Sequence, residues 1–204
     1  MIKTVRGKLE KLNVSETLRY LGYAKTVVPE EQVENLVLSC ADEVLKAQDL
    51  RACYSVFDIS AEGEKLNLGF AEVESHSLSL NLAGCGKIVL FACTAGAGID
   101  RLLAKYKRIS PAKTAVIQAA GAALAEDWCE ELCALFKREY GDTKPRFSCG
   151  YGDLPLTLQR DIFAALSVTK QIGVTLSDDC FMTPTKSVTA IVGIKNQGKT
   201  YDGN

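Results

Sequence analysis

The sequence predicts an α+β fold, with a mostly antiparallel sheet and helices packed around it. Two observations carry that reading. Stripes of helical period and apolar runs of strand length follow one another irregularly, without the strand–helix alternation that builds a parallel sheet. One segment, from about residue 111 to residue 140, keeps a helical pattern well beyond the usual length of a globular helix. Hydrophobic residues make up 47% of the 204 residues, enough to fill a core without disulfides or metals. One domain over residues 1–204 is expected, with an N-terminal helical part at 1–48 and a frayed polar tail at 195–204.

Val14 to Tyr23 reads as a short helix with Ser15 as N-cap, stopped near Gly22. Pro29 sits at the first turn of a second helix. Its stripe of Val33, Leu36, Val37, Cys40, Val44 and Leu45 runs to about residue 47, and Glu30, Glu31 and Glu34 suit the positive end of its dipole. Cys53–Ile59 and Leu66–Val73 read as two strands joined by a turn around Ala61, Glu62 and Gly63. Ser77–Leu82 is a short helix ending at Gly84, and Lys87–Thr94 is a buried strand.

The next stretch, Thr94-Ala95-Gly96-Ala97-Gly98-Ile99-Asp100, resembles a glycine-rich nucleotide loop but lacks the third glycine, since Arg101 stands there. The Rossmann reading is rejected; the two glycines are assigned a steric role, and the loop is kept as a candidate lining of a site. Ser110 and Pro111 cap the long helix, which ends at Gly141 and measures roughly 43 Å at about 1.5 Å per residue. Its first half is made of small residues that permit close packing. Its second half turns Trp128, Leu132, Leu135 and Phe136 to a core. Beyond it, Pro155–Leu166 is a helix, Ile172–Leu176 is extended, Ser177–Pro184 is a loop, and Ser187–Ile194 is a final strand.

Composition excludes several functions. The net charge of −1 gives no basic field for nucleic acid or anionic lipid. The longest apolar stretch, Ile88–Ile99, is far shorter than the ~20 residues that span a bilayer. Met1–Leu12 lacks the apolar run of a signal peptide, so a cytoplasmic location is expected. The eight cysteines then read as reduced, mostly buried filler. Cys129 and Cys133 share a helix face, but with His76 as the one histidine a zinc site is not expected, nor is a nucleophile–histidine couple.

The stretch around which the chain is organised is Arg146-Phe147-Ser148-Cys149-Gly150-Tyr151-Gly152-Asp153-Leu154-Pro155, set between two helices. An arginine, a tyrosine, a carboxylate and two glycines in one ordered loop suit ligand binding. Arg146-x-x-x-Gly150-Tyr151-Gly152-Asp153-x-Pro155, followed by Ile172-Gly173-Val174-x-Leu176 and Lys186-Ser187-Val188, resembles the activation (AdoMet-binding) domain of cobalamin-dependent methionine synthase, closest to its free-standing bacterial form. Tyr20-Leu21-Gly22-Tyr23 and the stretch from Val89 to Asp100 also fit; the C-terminal third is the specific part.

The resemblance implies the same α+β fold and S-adenosylmethionine (AdoMet) as ligand and methyl donor. Arg146, the backbone near Ser148 and Gly150, and the Tyr151 side chain would hold it, with Lys186 and Ser187 as candidates to line the site. It also implies a carboxylate early in the domain, for which Glu30 or Glu31 are the candidates. The position before Gly150, often proline in the family, is Cys149 here, which leaves that turn looser. The cobalamin-module signature Asp-x-His-x-x-Gly does not occur, so cobalamin would enter only through a partner: a cobalamin-binding methionine synthase lacking its own activation domain, served by a flavodoxin-like reductant. The chain would be an accessory component acting in trans. The alternatives are a non-catalytic AdoMet-sensing module for another corrinoid methyltransferase and an ordinary methyltransferase for a small substrate.

The residues suit that chemistry. A guanidinium fork pairs bidentately with a carboxylate, and a tyrosine offers a hydroxyl or a ring face to a sulfonium. Methyl transfer from sulfonium to a metal nucleophile needs orientation rather than a general base.

Overall fold

The computed structural model describes residues 1–24 and 26–196. Its centre is a four-stranded antiparallel sheet in the order β1 (Lys3–Gly7), β2 (Leu50–Asp58), β6 (Cys85–Thr94), β9 (Ser187–Lys195). Strand alternation sends successive side chains to opposite faces. Val89, Phe91 and Cys93 of β6 therefore join one core, and Ile88, Leu90 and Ala92 join the other.

The first core lies under α1 (Val14–Tyr20), α2 (Glu31–Ala47), α4 (Ala97–Tyr106) and α5 (Pro111–Tyr140). Tyr54, Phe91 and Phe136 meet there with ring centroids 4.9 and 5.5 Å apart, all fully buried. Each such side chain contributes about 1.5–3 kcal/mol through burial. The second core lies under α3 (His76–Asn81), α6 (Gln159–Leu166) and α7 (Val168–Ile172). Beside it stands a small sheet of β3 (Ser60–Glu62), β4 (Lys65–Asn67) and β5 (Glu72–Glu74). A two-stranded ribbon, β7 (Thr175–Leu176) with β8 (Met182–Thr183), precedes β9.

α5 begins and ends where its sequence says. Ser110 accepts a hydrogen bond from the Lys113 N–H at 3.3 Å, Pro111 occupies the first position, and Gly141 closes the helix at φ 88°. The glycines after β6 are steric: a Cβ on Gly98 would fall 1.9 Å from the Ala47 carbonyl oxygen, so glycine lets α4 abut the end of α2.

Several expectations need correction. The N-terminal part is not wholly helical, because Lys3–Gly7 forms the edge strand β1. The cap of α1 is Asn13, whose side chain accepts from the Glu16 N–H at 3.0 Å, and not Ser15. The two strands expected at 53–59 and 66–73 do not pair. β2 pairs with β1 and β6, while the hairpin is made by β3 and β4. Ile172 ends a short helix rather than beginning a strand, and Gly173 at φ 69° turns the chain out of it. Lys195 completes β9 and pairs with Asp142 at 2.5 Å; the rest of the expected tail, 197–204, lies outside the described residues. Among the described residues no helix is long and apolar enough to cross a membrane.

Candidate functional site

The segment after α5 does not wander as a free loop. It runs antiparallel along β9, with bridges Thr143 to Ile194 and Phe147 to Ile191, and with Phe147 and Ile191 exchanging 2.8 Å backbone bonds. Alternation then puts Phe147 toward the second core and Arg146 and Ser148 on the face shared with α5. This is the local reason that Arg146 meets the long helix.

The Arg146 guanidinium, 19% exposed, donates through Nη1 to Glu130 Oε1 at 2.9 Å and through Nη2 to Glu126 Oε2. Two carboxylates one turn apart on α5 thus share one guanidinium, leaving the trio at net −1. Glu126 is one-third exposed and Glu130 mostly exposed. Asp127, behind them, accepts from the Asn13 backbone; burial, with Glu16, Glu126 and Glu130 nearby, raises its carboxyl. Arg146 makes five donors available in a planar fork, so unused N–H groups remain for a ligand oxygen. Ser148 on this edge and Ala122 and Glu126 on α5 are half-buried, as is Val188 of β9.

The rest of the loop is closed by its own backbone. Gly150 N–H donates to Leu154 O at 2.9 Å, Tyr151 N–H to Ser148 O at 3.1 Å, and Leu154 N–H to Tyr151 O at 3.0 Å. Gly150 and Gly152 have φ of 87° and 55°, and a Cβ on Gly152 would lie 2.4 Å from Ser77 Oγ. Tyr151 is 56% exposed and sits edge-on to Phe147, with ring centroids 6.0 Å apart.

Asp153 points away from Arg146. Its Oδ1 accepts from Ser75 Oγ at 2.7 Å and Ser77 N–H at 3.1 Å, and its Oδ2 from His76 N–H at 2.7 Å. Those bonds at the start of α3 hold its carboxyl well below the usual range. His76 itself lies 2.8 Å from Glu64. Cys149 is buried in the second core, which pushes its thiol up to about 12; it is packing, not a reactive group.

The remaining sequence candidates divide. Ser187 Oγ donates to Pro184 O at 2.7 Å and lies 2.9 Å from Thr94 Oγ1, so it fixes the start of β9. Lys186 is buried against α5. Glu30 and Glu31 are exposed at the start of α2, and no contact described for them reaches Arg146. The carboxylates at the guanidinium are Glu126 and Glu130, which sequence reasoning missed. Their signal was an acidic i, i+4 pair beside a run of small residues, and it reads equally as a solvated helix face. Two concavities lie elsewhere, one against the β3–β5 sheet and one between Arg6–Glu10 and the end of α2; neither includes Arg146.

The α+β domain thus sets a glycine–tyrosine loop against a long helix, with Arg146 and two carboxylates at the seam. Residues 81–203 match the family described as "Vitamin B12 dependent methionine synthase, activation domain". The match spans more than half of the chain, which therefore belongs to that family. Among solved structures, the chain is similar to the "MetH Reactivation Domain bound to AdoHcy", with a TM-score of 0.76 and 17% identity over 98% of this chain and 80% of that one. At that identity the likeness establishes the fold. No curated protein matches the chain.

Proposed function

We propose that the protein binds AdoMet in the seam between α5 and the Arg146–Tyr151 edge. In this role it is a reactivation partner of a separate cobalamin-binding methionine synthase, positioning AdoMet for reductive remethylation of cob(II)alamin. The observation that carries the reading is the charge arrangement at Arg146. An amino-acid head group offers a carboxylate and an ammonium, and the seam offers a guanidinium with free donors beside two carboxylates. The family match and a fold neighbour that holds AdoHcy support it.

When bound, AdoMet supplies an electrophilic methyl group. Arg146 would take the α-carboxylate, Glu126 and Glu130 the ammonium, and the Ser148–Gly150 backbone with the Tyr151 ring would flank the remainder. The chain's contribution is orientation, which needs no proton carrier. Cobalamin fits the partner and not this chain: His76 is tied to Glu64 and lies outside any Asp-x-His-x-x-Gly motif. A flavodoxin-like donor would supply the electron.

The test is reconstitution. Purified protein, AdoMet and a reductant should restore turnover to an oxidised synthase that lacks its activation domain. Failure there, with AdoMet bound tightly, would leave a sensing module for another corrinoid protein.

A further inference from the structure

Tyr20 ends α1 on the bank of the seam opposite Arg146. Positions around α5 fix that bank. Cys129 and Phe136 mark the side against the sheet, with Cys129 Sγ 3.5 Å from Cys93 Sγ and the Phe136 and Phe91 ring centroids 5.5 Å apart. Asp127 marks the side against α1, because its carboxylate accepts from the Asn13 backbone just ahead of that helix. At about 100° per residue, Glu126 and Glu130 fall between those two sides. The acidic pair therefore lies between α1 and the Arg146 edge, which extends the sheet beyond β9.

Other residues seat α1. Thr17 is fully buried, and Leu18 and Leu21 pack on the first core. Tyr20, three residues on from Thr17 and so on the same side of the helix, stays 40% exposed. Its ring carries the Arg19 guanidinium 4.4 Å from the centroid, and Glu16 Oε1 holds that guanidinium with bonds of 2.9 and 2.5 Å. Burial, and next the Glu126 charge, push the Tyr20 phenol above its ordinary range, with Arg19 opposing. The hydroxyl keeps its proton and can donate it. The partner described for this side chain is Arg19, which donates and cannot accept. Among the described residues, none takes the Tyr20 hydroxyl proton.

Glu126 is what Arg146 and Tyr20 have in common: it bonds the first and its field reaches the second. An amino-acid head group placed at this pair meets donors from two sides. Its ammonium is served by Glu126 and Glu130. Its carboxylate has more acceptor sites than one guanidinium edge fills. The Arg19 charge beside the ring disfavours a cation at Tyr20 and favours an anion.

We propose that the Tyr20 hydroxyl donates to the carboxylate of the bound amino-acid head group, across the seam from Arg146. This assignment rests on the AdoMet reading of the seam. It makes Tyr20 a specificity residue, which favours ligands that retain the carboxylate.

Calorimetric titration of AdoHcy and of decarboxylated AdoHcy, which keeps the ammonium and the nucleoside, tests the assignment. Tyr20→Phe removes the hydroxyl and keeps the ring under Arg19. It should weaken AdoHcy about tenfold, the loss of one hydrogen bond to a charged group, and leave the decarboxylated ligand within about twofold of the parent. Melting curves check that the variant folds, and Tyr20→Met, which also lacks the hydroxyl, serves if it does not. Parent-like AdoHcy binding by the variant overturns the proposal and leaves the AdoMet reading standing. An equal loss for both ligands also overturns it, because the hydroxyl would then not be reading the carboxylate. A parent protein that binds neither AdoHcy nor AdoMet overturns the AdoMet reading and this assignment with it.

Discussion

Residues 146–148 and residues 150–155 are neighbours in the chain, yet their charged groups are used in opposite ways. Asp153 engages both oxygens with three donors from the start of α3. Arg146 faces two partly exposed carboxylates and keeps unused donors at the open seam. One half is an anchor that fixes the loop to the second core. The other half is held by its backbone on β9, which leaves the Arg146 side chain to meet α5. The difference teaches that a motif's most conspicuous carboxylate can be structural while the carboxylates that meet its arginine come from a helix elsewhere.

The comparison can be broken by substitution. Arg146→Ala should have the largest effect on ligand and little on fold: AdoMet affinity falls about 100-fold, as for the loss of two charge-assisted hydrogen bonds, with Tm nearly unchanged. Unchanged affinity in a titration would take Arg146 out of the site. Asp153→Asn should do the reverse. It lowers Tm by several degrees and moves affinity only as far as the loop loosens.

The pH dependence has a definite sign. The folded Asp153 carboxyl titrates below its unfolded value of about 3.9, so its contribution is full above that pH and is lost as pH falls through the lower folded value. Melting from pH 6 downward should show a steeper acid limb in the parent than in Asp153→Asn.

Smaller effects separate the glycines. Both Gly150 and Gly152 have positive φ, so alanine costs about 1–2 kcal/mol at either site. Gly152→Ala should cost more, because its Cβ meets Ser77 Oγ at 2.4 Å while that of Gly150 has nothing nearer than Leu156 Cδ1 at 3.6 Å. Denaturant melts giving equal losses would mean Ser77 moves aside freely. Smallest of all, Tyr151→Phe should leave stability unchanged and affinity within a few-fold if the ring face is what the ligand meets. A loss as large as that of Tyr151→Ala would assign the role to the hydroxyl.

Local signals were legible where local chemistry decides. Ser110 and Pro111 begin α5 and Gly141 ends it, and Ile88 to Cys93 could only be a buried strand. Pairing was not legible, because β2 finds its partner in β6, with Asp58 opposite Lys87 and Arg51 opposite Thr94, and no turn signal encodes that. The expected strand at 66–73 is broken instead by Gly69 at φ 76°, whose N–H is bound by Asn67 Oδ1 at 2.9 Å. Val168 to Ile172 is rich in strand-forming residues, yet tertiary packing in the second core makes it a helix. Arg146 stands out within its loop, whereas its pairing with Glu126 and Glu130 follows only from the three-dimensional course of residues 143–147 along β9.

Titration of AdoMet into the parent protein and Arg146→Ala, each alone and with a cobalamin-loaded synthase lacking its activation domain, tests the central claim most directly. The account expects saturable binding of one AdoMet per chain, strengthened or unchanged by the partner and weakened about 100-fold in the variant. Absence of binding with and without the partner would contradict it and leave the family fold without its ligand.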